Sequence, residues 1–478
     1  MKPMEWFSKN KVAVAGIALA ILSAVLRFLA ADQTQHPTGW DGYYYVMQVH
    51  SWINYGYLQS PDFSLIYPYL TMVTIIAGDV ILGFKTGVAL LSGLLVGAVF
   101  YSLNKRAVPL SWICIVCAYI VFSPLTTYFV LQFPKNALGL IFLVICLSSS
   151  NRVVMVLFFV ATIMTHRMTG AFALISGGLF ALRHVSWKWI SIGAVIVVAI
   201  SFLPGVLHFS DVERLKGQLT FIPHWPPFSF YRLFPDSLSW AYQLDLVLIS
   251  VLIPVSFFLV IRHRKNISFS SWMWLPIAAI SIFPFFKFSA GDLGYRFFLV
   301  APIVLFMMLP YGNWRPRVVW IAAVIVLSAS VISFHSYRPR SFDPPNDRYS
   351  YIVGKLITRY DPQEYPLVIA HNSLAEMIIF RTDFDALNWL PPEDMQPQHI
   401  LRLIQGVNYA DLRKYLDAHD SANLRPIASG YFALPEDGWQ RFVAAATREN
   451  DPRVMASIFS QSNPMNKRPY YLNKGKIR

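Results

Sequence analysis

Long runs of apolar residues, separated by short polar stretches, follow one another along most of the chain. An α-helix needs roughly 17–25 residues to cross the hydrocarbon core of a bilayer. Runs of this kind predict about eleven membrane spans, and several runs are short for a span, which indicates helices that are either tilted or partly sunk into a cavity. The predicted spans are Val12–Ala30, Thr86–Leu103, Val108–Leu125, Asn136–Ser149, Val153–Thr165, Thr169–Leu182, Trp189–Leu207, Ser239–Ile261, Trp272–Phe286, Tyr295–Leu309 and Val318–Phe334. Residues 1–336 are therefore expected to form a polytopic, all-α membrane bundle.

The pattern changes after Phe334, because residues 337–478 read as ordinary soluble protein. A short continuous apolar run predicts a buried strand, whereas apolar residues three or four positions apart predict a helix. The predicted strands are Leu367–Ala370 and Gly430–Leu434, and the predicted helices are Leu374–Phe380, Ala410–Asp417 and Trp439–Ala446. This segment is thus expected to be a small α/β domain.

Composition agrees with a membrane protein. Apolar residues make up 55% of the chain and charged residues only 14%, against about a quarter charged in soluble domains. The formal net charge of +14 suggests a nucleic-acid partner at first sight. We exclude that partner, because the Lys and Arg residues lie in short loops between apolar runs rather than on one face of a soluble domain.

The charges between spans also predict orientation, since loops rich in Lys and Arg stay in the cytoplasm. Loops on one side are basic, whereas the first loop on the other side, Asp32–Ser64, contains no Lys or Arg. The N-terminus is therefore predicted to be cytoplasmic, and an odd number of spans places the C-terminal domain outside. This arrangement fits a multi-pass protein of a bacterial inner membrane with a periplasmic or extracellular C-terminal domain.

The first outer loop is long and rich in aromatic residues, as is typical of helices that lie along the membrane interface. It opens a series of short motifs that extends to about Leu207. The motifs are Asp41 followed by tyrosines at 43–45, Tyr67-Pro68-Tyr69-Leu70, Asn104-Lys105-Arg106, Ser123-Pro124 and Phe133-Pro134-Lys135-Asn136. As a series they resemble the GT-C class of integral membrane glycosyltransferases. The resemblance implies a sugar donor carried on a polyprenyl phosphate.

The resemblance further implies that the acidic residue of the first outer loop, here Asp41, is the catalytic base or binds the acceptor. Sugar transfer needs a carboxylate that accepts the proton of the acceptor hydroxyl in a site shielded from bulk water. The alternative is that Asp41 only caps a helix starting at Gly42. Nearby Tyr44 is a candidate for substrate binding. A single Asp replaces the paired acidic motif of some family members, so no metal or other cofactor is predicted, and dependence on a divalent metal stays open.

A leaving polyprenyl phosphate needs cations on the outer side of the membrane. The few cations at predicted outer helix ends are candidates for binding the donor: Lys85, Lys135, His166, Arg167, Lys287 and Arg296. The alternative for each is a cation that reaches the lipid headgroups. In the long loop 208–237, Trp225 is a candidate for stacking on an acceptor sugar, unless this loop is only a structural cover.

The predicted function is transfer of a sugar from a polyprenyl-phosphate donor to a glycan, lipid or protein acceptor outside the membrane, with inversion at the anomeric carbon. A polysaccharide polymerase or O-antigen ligase is the second hypothesis, although such enzymes normally have their long outer loop late in the chain. A transporter is disfavoured, because transporters keep ionisable residues near the bilayer midplane and nearly all charges here lie at span ends. A non-catalytic membrane scaffold stays open.

Overall fold

The computed structural model describes residues 11–184 and 344–449, except Pro392, together with residues 221–223, 286–288 and single helical residues elsewhere. The chain divides into two compact units, Met1–Gly39 with Phe63–Phe342 and Trp40–Asp62 with Asp343–Arg478. Five predicted spans lie outside the continuous described ranges: Trp189–Leu207, Ser239–Ile261, Trp272–Phe286, Tyr295–Leu309 and Val318–Phe334.

Residues 11–184 are almost entirely helical. The helices are α1 (Lys11–Ala31), α2 (Gly42–Tyr55), α3 (Ile66–Ala77), α4 (Val80–Lys105), α5 (Leu110–Phe122), α6 (Pro124–Gln132), α7 (Pro134–Ser148), α8 (Arg152–Thr165) and α9 (Arg167–His184). Helix α2 belongs to the second unit and the others to the first. Helices α1, α4, α7, α8 and α9 confirm that the corresponding apolar runs are helical. Two short strands, β1 (Phe221–Pro223) and β2 (Phe286–Phe288), pair antiparallel.

The predicted span Val108–Leu125 corresponds to α5, which ends at Phe122, and it is followed by a helix that was not predicted, α6. Helices α5 and α6 meet at Ser123 with a bend of 61°. Pro124 has no backbone N–H to continue the hydrogen bonding of α5, and its ring clashes with the preceding turn. The Ser123 hydroxyl instead accepts the backbone N–H of Thr126 at 3.1 Å and so begins α6.

Small residues allow α1 and α4 to pack closely. A Cβ atom built on Gly93 of α4 would lie only 2.7 Å from the carbonyl oxygen of Ala20 in α1. One residue earlier on α4, the Ser92 and Ser23 hydroxyls form a buried hydrogen bond of 2.6 Å. Membrane helices pack through small residues in this way because lipid provides no hydrophobic force between them.

Among the described residues, α1 and α4 are long and apolar enough to cross a membrane. The bent pair of α5 and α6 provides a third span if the two helices act together, and α3, α7 and α8 are shorter apolar helices. The described part of the chain thus has the helices of an integral membrane protein. The number of eleven spans and the orientation stay predictions.

In the second unit, residues 344–449 contain helices and a five-stranded sheet. The helices are α10 (Asn346–Arg359), α11 (Asn372–Arg381), α12 (Tyr409–Tyr415), α13 (Ala418–Asn423) and α14 (Glu436–Glu449), and a 3-10 turn spans Glu393–Met395. The strands are β3 (Leu367–Ile369), β4 (Asp385–Leu387), β5 (Ile400–Gln405), β6 (Arg425–Ala428) and β7 (Tyr431–Pro435). The strand order is β4-β3-β5-β7-β6, with β3 parallel to β4 and β5, and β7 antiparallel to β5 and β6.

Sequence analysis found two of these strands, β3 and β7, and the helices α11, α12 and α14. It missed β5, because the charged Arg402 interrupts an otherwise apolar run. Arg402 is tolerated inside the sheet because Glu436 neutralises it through two short hydrogen bonds of 2.6 and 2.9 Å. The proposed boundary between residues 336 and 337 stays a prediction, while Trp40–Asp62 joins the C-terminal segment in one unit.

Candidate functional site

Asp41 immediately precedes α2, but its side chain does not cap that helix. Its backbone angles are φ −97° and ψ 13°, and its carboxylate makes no capping hydrogen bond. A capping residue usually has extended backbone angles, which aim its side chain at the first helical N–H groups. Capping therefore does not account for Asp41, a half-buried residue that is followed in the sequence by the buried Gly42 and Tyr43.

Tyr44 holds the remainder of the first loop in place. Its hydroxyl donates to a carboxylate oxygen of Asp62 at 2.8 Å and accepts from the Gln48 amide at 3.2 Å. The same Gln48 amide makes two hydrogen bonds of 2.8 Å with the backbone N–H and C=O of Ser60. Tyr44 therefore has a structural function whether or not it contacts a substrate. Asp62 is a further carboxylate of this loop that was not predicted as a site residue, since it belongs to no recognisable motif.

Tyr43 is not a candidate base. Burial raises the pKa of its hydroxyl to about 12, and the neighbouring Arg381 offsets only part of that rise. A phenol with this pKa stays protonated near neutral pH. Among these loop groups, the carboxylates of Asp41 and Asp62 are therefore the ones suited to accept a proton.

In the first unit, the motif Phe133-Pro134-Lys135-Asn136 contacts the motif Tyr67-Pro68-Tyr69-Leu70 through Lys135. The Lys135 ammonium lies over the ring of Tyr67, 5.0 Å from its centre. Tyr67 is completely buried, whereas Lys135 is half-buried near the start of α7. A cation over an aromatic face keeps its charge while losing part of its water. Lys135 thus places a half-buried ammonium against the Tyr67 ring near the start of α7.

His166 lies at the junction of α8 and α9, close to the same segment. The Ser64 hydroxyl donates to the carbonyl oxygen of Thr165 at 2.7 Å, which ties this junction to the residues just before α3. His166 Nδ1 accepts the backbone N–H of Met168 at 3.1 Å. An accepting Nδ1 carries no proton, so the neutral ring carries its proton on Nε2 and can donate it to an anion.

Lys135 and the backbone next to His166 therefore both contact residues 64–67, which we call the α3 entry segment. It contains Ser64, bonded beside His166, and Tyr67, which lies under Lys135. Arg167 follows His166 and is exposed. The sequence indicates these cations one by one, but it does not indicate that Tyr67 contacts Lys135 or that Ser64 contacts the residue before His166.

Protein groups engage the charge of Lys85. Its buried ammonium pairs with the Asp32 carboxylate at 3.0 Å and also donates to the carbonyl oxygen of Thr34. These contacts fix the chain just after α1. They give Lys85 a structural function that sequence analysis did not foresee, since its partner lies 53 residues away.

The other candidates are less defined. Lys287 pairs through its backbone with Ile222 in the β1–β2 ladder, but its side chain lies outside the described residues. Trp225 and Arg296 also lie outside them.

Gly39, two residues before Asp41, occupies a position in the first loop that only glycine can adopt without strain. It has φ +93°, and a Cβ atom there would lie 2.8 Å from the carbonyl oxygen of Leu131 at the end of α6. A side chain is excluded both by that backbone conformation and by the contact. Any larger residue at position 39 would displace the chain that leads to Asp41.

One group of described residues has the geometry of a metal site. Ligand atoms of Asp417, His419 and Asp420 lie within 4.8 Å of one another. However, both Asp420 oxygens accept hydrogen bonds from the Arg441 guanidinium, at 2.6 and 2.7 Å. Because an arginine already satisfies the central carboxylate, we interpret the group as an ion pair rather than a metal site.

No protein-family model matches this chain, and no curated protein matches it by sequence. Its fold is similar to the crystal structure of ArnT from Cupriavidus metallidurans in the apo state. That match has a TM-score of 0.53 and 12% identity over 90% of this chain and 98% of ArnT. The same ArnT bound to undecaprenyl phosphate matches with a TM-score of 0.52 and 14% identity, over 89% of this chain and 98% of ArnT.

At this level of identity the likeness shows the fold alone. It confirms the predicted resemblance to the GT-C class in fold, and it does so over most of the chain rather than only up to Leu207. It also confirms a mostly helical chain with a small sheet.

Proposed function

We propose that this protein is a membrane glycosyltransferase that moves a sugar from a polyprenyl-phosphate donor to an acceptor on the extracytoplasmic face. The observation that carries the proposal is that Lys135 and the backbone next to His166 both contact the α3 entry segment, in a chain whose fold is similar to that of ArnT. One of the similar ArnT structures contains undecaprenyl phosphate, which supports a lipid phosphate as the carrier. The acceptor would be a glycan, lipid or protein.

In the proposed reaction, Asp41 accepts the proton of an acceptor hydroxyl as that oxygen attacks the anomeric carbon of the sugar. The bond from this carbon to the phosphate oxygen breaks, and the lipid phosphate leaves with the electron pair. The ammonium of Lys135 and the Nε2–H of His166 stabilise the charge that develops on the phosphate. A single displacement of this kind inverts the anomeric carbon.

The remaining candidates have secondary roles in the proposal. Arg167, Arg296 and Lys287 would add positive charge near the phosphate, and Trp225 would stack on the acceptor sugar. Tyr44 would orient the first loop through its hydrogen bond to Asp62. Lys85 is proposed as a structural residue because Asp32 and Thr34 already engage its ammonium. The proposed setting is a bacterial inner membrane with a cytoplasmic N-terminus.

The test is transfer of radiolabelled sugar from extracted polyprenyl-phosphate donors in membranes containing wild type, Asp41→Asn or Asp79→Asn. Asp79 is the matched control, since it also precedes a helix but its side chain caps α4 by accepting the Leu82 N–H at 2.7 Å, as Asn also can. We expect Asp41→Asn to lose transfer by about 100-fold or more, the usual range for a general base, and Asp79→Asn to retain it. Equal transfer by all three would exclude Asp41 as the base. Failure of the wild type with every donor would contradict the proposed function.

A further inference from the structure

Helix α2, which follows Asp41, packs against α11 of the C-terminal segment within the second unit. The ring of Phe380 lies edge-on to His50 with 5.5 Å between ring centres, and 5.9 Å from the ring of Tyr43. Residues 43 and 50 are seven positions apart and therefore lie on one face of α2. A single α11 side chain thus contacts two turns of the helix that begins after Asp41.

Two further contacts hold the start of α2. The Ser373 hydroxyl, at the beginning of α11, donates to the backbone carbonyl of Trp40 at 3.4 Å. The Arg381 guanidinium, at the other end of α11, lies 5.9 Å from the centre of the Tyr43 ring. Trp40 and Tyr43 flank Asp41 and Gly42 in the sequence, so α11 contacts the chain on both sides of the proposed base.

Helix α11 is itself firmly anchored. Its residues 373–379 are buried, and it follows β3 in the five-stranded sheet. Arg381 also donates to the Ser350 hydroxyl of α10 at 2.7 Å. A helix fixed in this way can hold α2 at a defined position, because interiors with buried, interdigitated side chains resist displacement.

We infer that α11 positions Asp41 for catalysis, with Phe380 as the principal positioning residue. This inference rests on the proposed function, in which Asp41 is the base. Asp41 immediately precedes α2, so its position depends on where the start of α2 is held. A reacting group displaced by about 1 Å loses roughly 100-fold in rate. The C-terminal segment is thereby part of the catalytic apparatus rather than only a cover.

The first experiment separates the rate of reaction from donor binding. Transfer kinetics are measured for wild type, Phe380→Ala, Phe380→Tyr and the control Tyr409→Ala. Tyr409 is an aromatic residue of the same segment, and its ring stacks on Phe432 with 5.5 Å between centres. We expect Phe380→Ala to lower kcat roughly 10–100-fold with donor KM within about twofold. Phe380→Tyr, which keeps the ring, and Tyr409→Ala should stay near the wild type.

The second experiment detects the contact without relying on activity. Cysteines introduced as Trp40→Cys and Ser373→Cys are treated with a short bis-maleimide in the full chain, after the native Cys114, Cys117 and Cys146 are replaced by alanine. We expect an intramolecular cross-link that weakens when Phe380→Ala is added. The single variants Trp40→Cys and Ser373→Cys serve as controls, because neither can form an intramolecular cross-link.

The outcomes distinguish the two proposals. The positioning role is overturned if Phe380→Ala keeps the wild-type kcat, if Tyr409→Ala loses kcat equally, or if residues 40 and 373 do not cross-link. In each of these cases the transferase function stands. If the wild type transfers no sugar but the cross-link forms, the proposed function fails and the catalytic role of α11 fails with it.

Discussion

Asp41 and Asp79 each stand one residue before a helix, yet only Asp79 uses its side chain as a cap. The backbone of Asp79 is extended, with φ −138° and ψ 141°, so its carboxylate points at the Leu82 N–H. The backbone of Asp41 is not extended, and no such bond forms. The two residues look alike in the sequence. They differ in the structure because the backbone angles at which the chain enters each helix depend on tertiary contacts of the preceding residues.

At the same scale, we predict that Lys135→Met lowers transfer roughly 10–100-fold at limiting donor, as expected when a charge-assisted hydrogen bond to phosphate is lost. Methionine keeps an apolar stem against the Tyr67 ring, so the thermal unfolding midpoint should change little. The control is Lys105→Met, because Lys105 also lies over a tyrosine ring, Tyr101, at 5.6 Å. Equal rates in both variants would exclude Lys135 from donor binding.

At the scale of elements, the bend between α5 and α6 depends on a residue from a different helix. Arg27 of α1 is completely buried, and its guanidinium donates to the carbonyl oxygens of Ile120, at 2.8 Å, and Val121. These carbonyls lie at the end of α5, where the proline at 124 prevents the helix from continuing. A cation at a helix C-terminus also complements the helix dipole.

We therefore predict that Arg27→Met lowers the free energy of unfolding by about 1–3 kcal/mol for each carbonyl left without this donor. Ser23→Ala on the same helix removes one neutral hydrogen bond, to Ser92, and should cost only about 1 kcal/mol. Thermal unfolding of both variants in the same detergent gives the comparison. A smaller effect of Arg27→Met than of Ser23→Ala would show that the bend does not need Arg27.

At the scale of the whole molecule, the chain is organised as two units whose boundaries do not follow sequence order. Residues 40–62 interrupt the first unit and pack with the C-terminal segment, as shown by the bond between Ser373 and Trp40, 333 residues apart. Within the second unit, one ion pair joins the sheet to a helix and another joins two helices. Arg402 of β5 binds Glu436 of α14, and Arg441 of α14 binds Asp420 of α13.

The Asp420–Arg441 pair predicts a dependence of stability on pH. Hydrogen bonds from Arg441 hold the pKa of the buried Asp420 carboxyl below its ordinary value of 3.8. A lowered folded-state pKa contributes stability that is present above the unfolded pKa and is lost as pH falls through the folded one. We expect Asp420→Asn to lower the unfolding midpoint at pH 7 and the difference from wild type to shrink below about pH 4. A difference that is constant from pH 7 to pH 3 would show that the pair does not act through charge.

Patterns in the sequence alone predict most helices of residues 11–184, the two strands β3 and β7, and the set of candidate cations. Apolar runs and periodicity reveal these features because a helix satisfies its own backbone hydrogen bonds locally, and a membrane helix needs a fixed length of apolar chain. The same dependence on local sequence patterns explains why two elements, β5 and α6, were not predicted. Strand β5 was not predicted because the partner of Arg402, Glu436, is on another element, and α6 was not predicted because its cap, Ser123, directly follows the end of α5.

The contacts among these residues depend on the tertiary structure. It paired Lys85 with Asp32, placed Lys135 over Tyr67, tied the His166 junction to Ser64, and joined α2 to α11. Each of these contacts links residues far apart in the chain, and their formation depends on how all the surrounding helices and strands pack. No local pattern encodes that packing, so the sequence identified candidates for the chemistry while the fold selected among them.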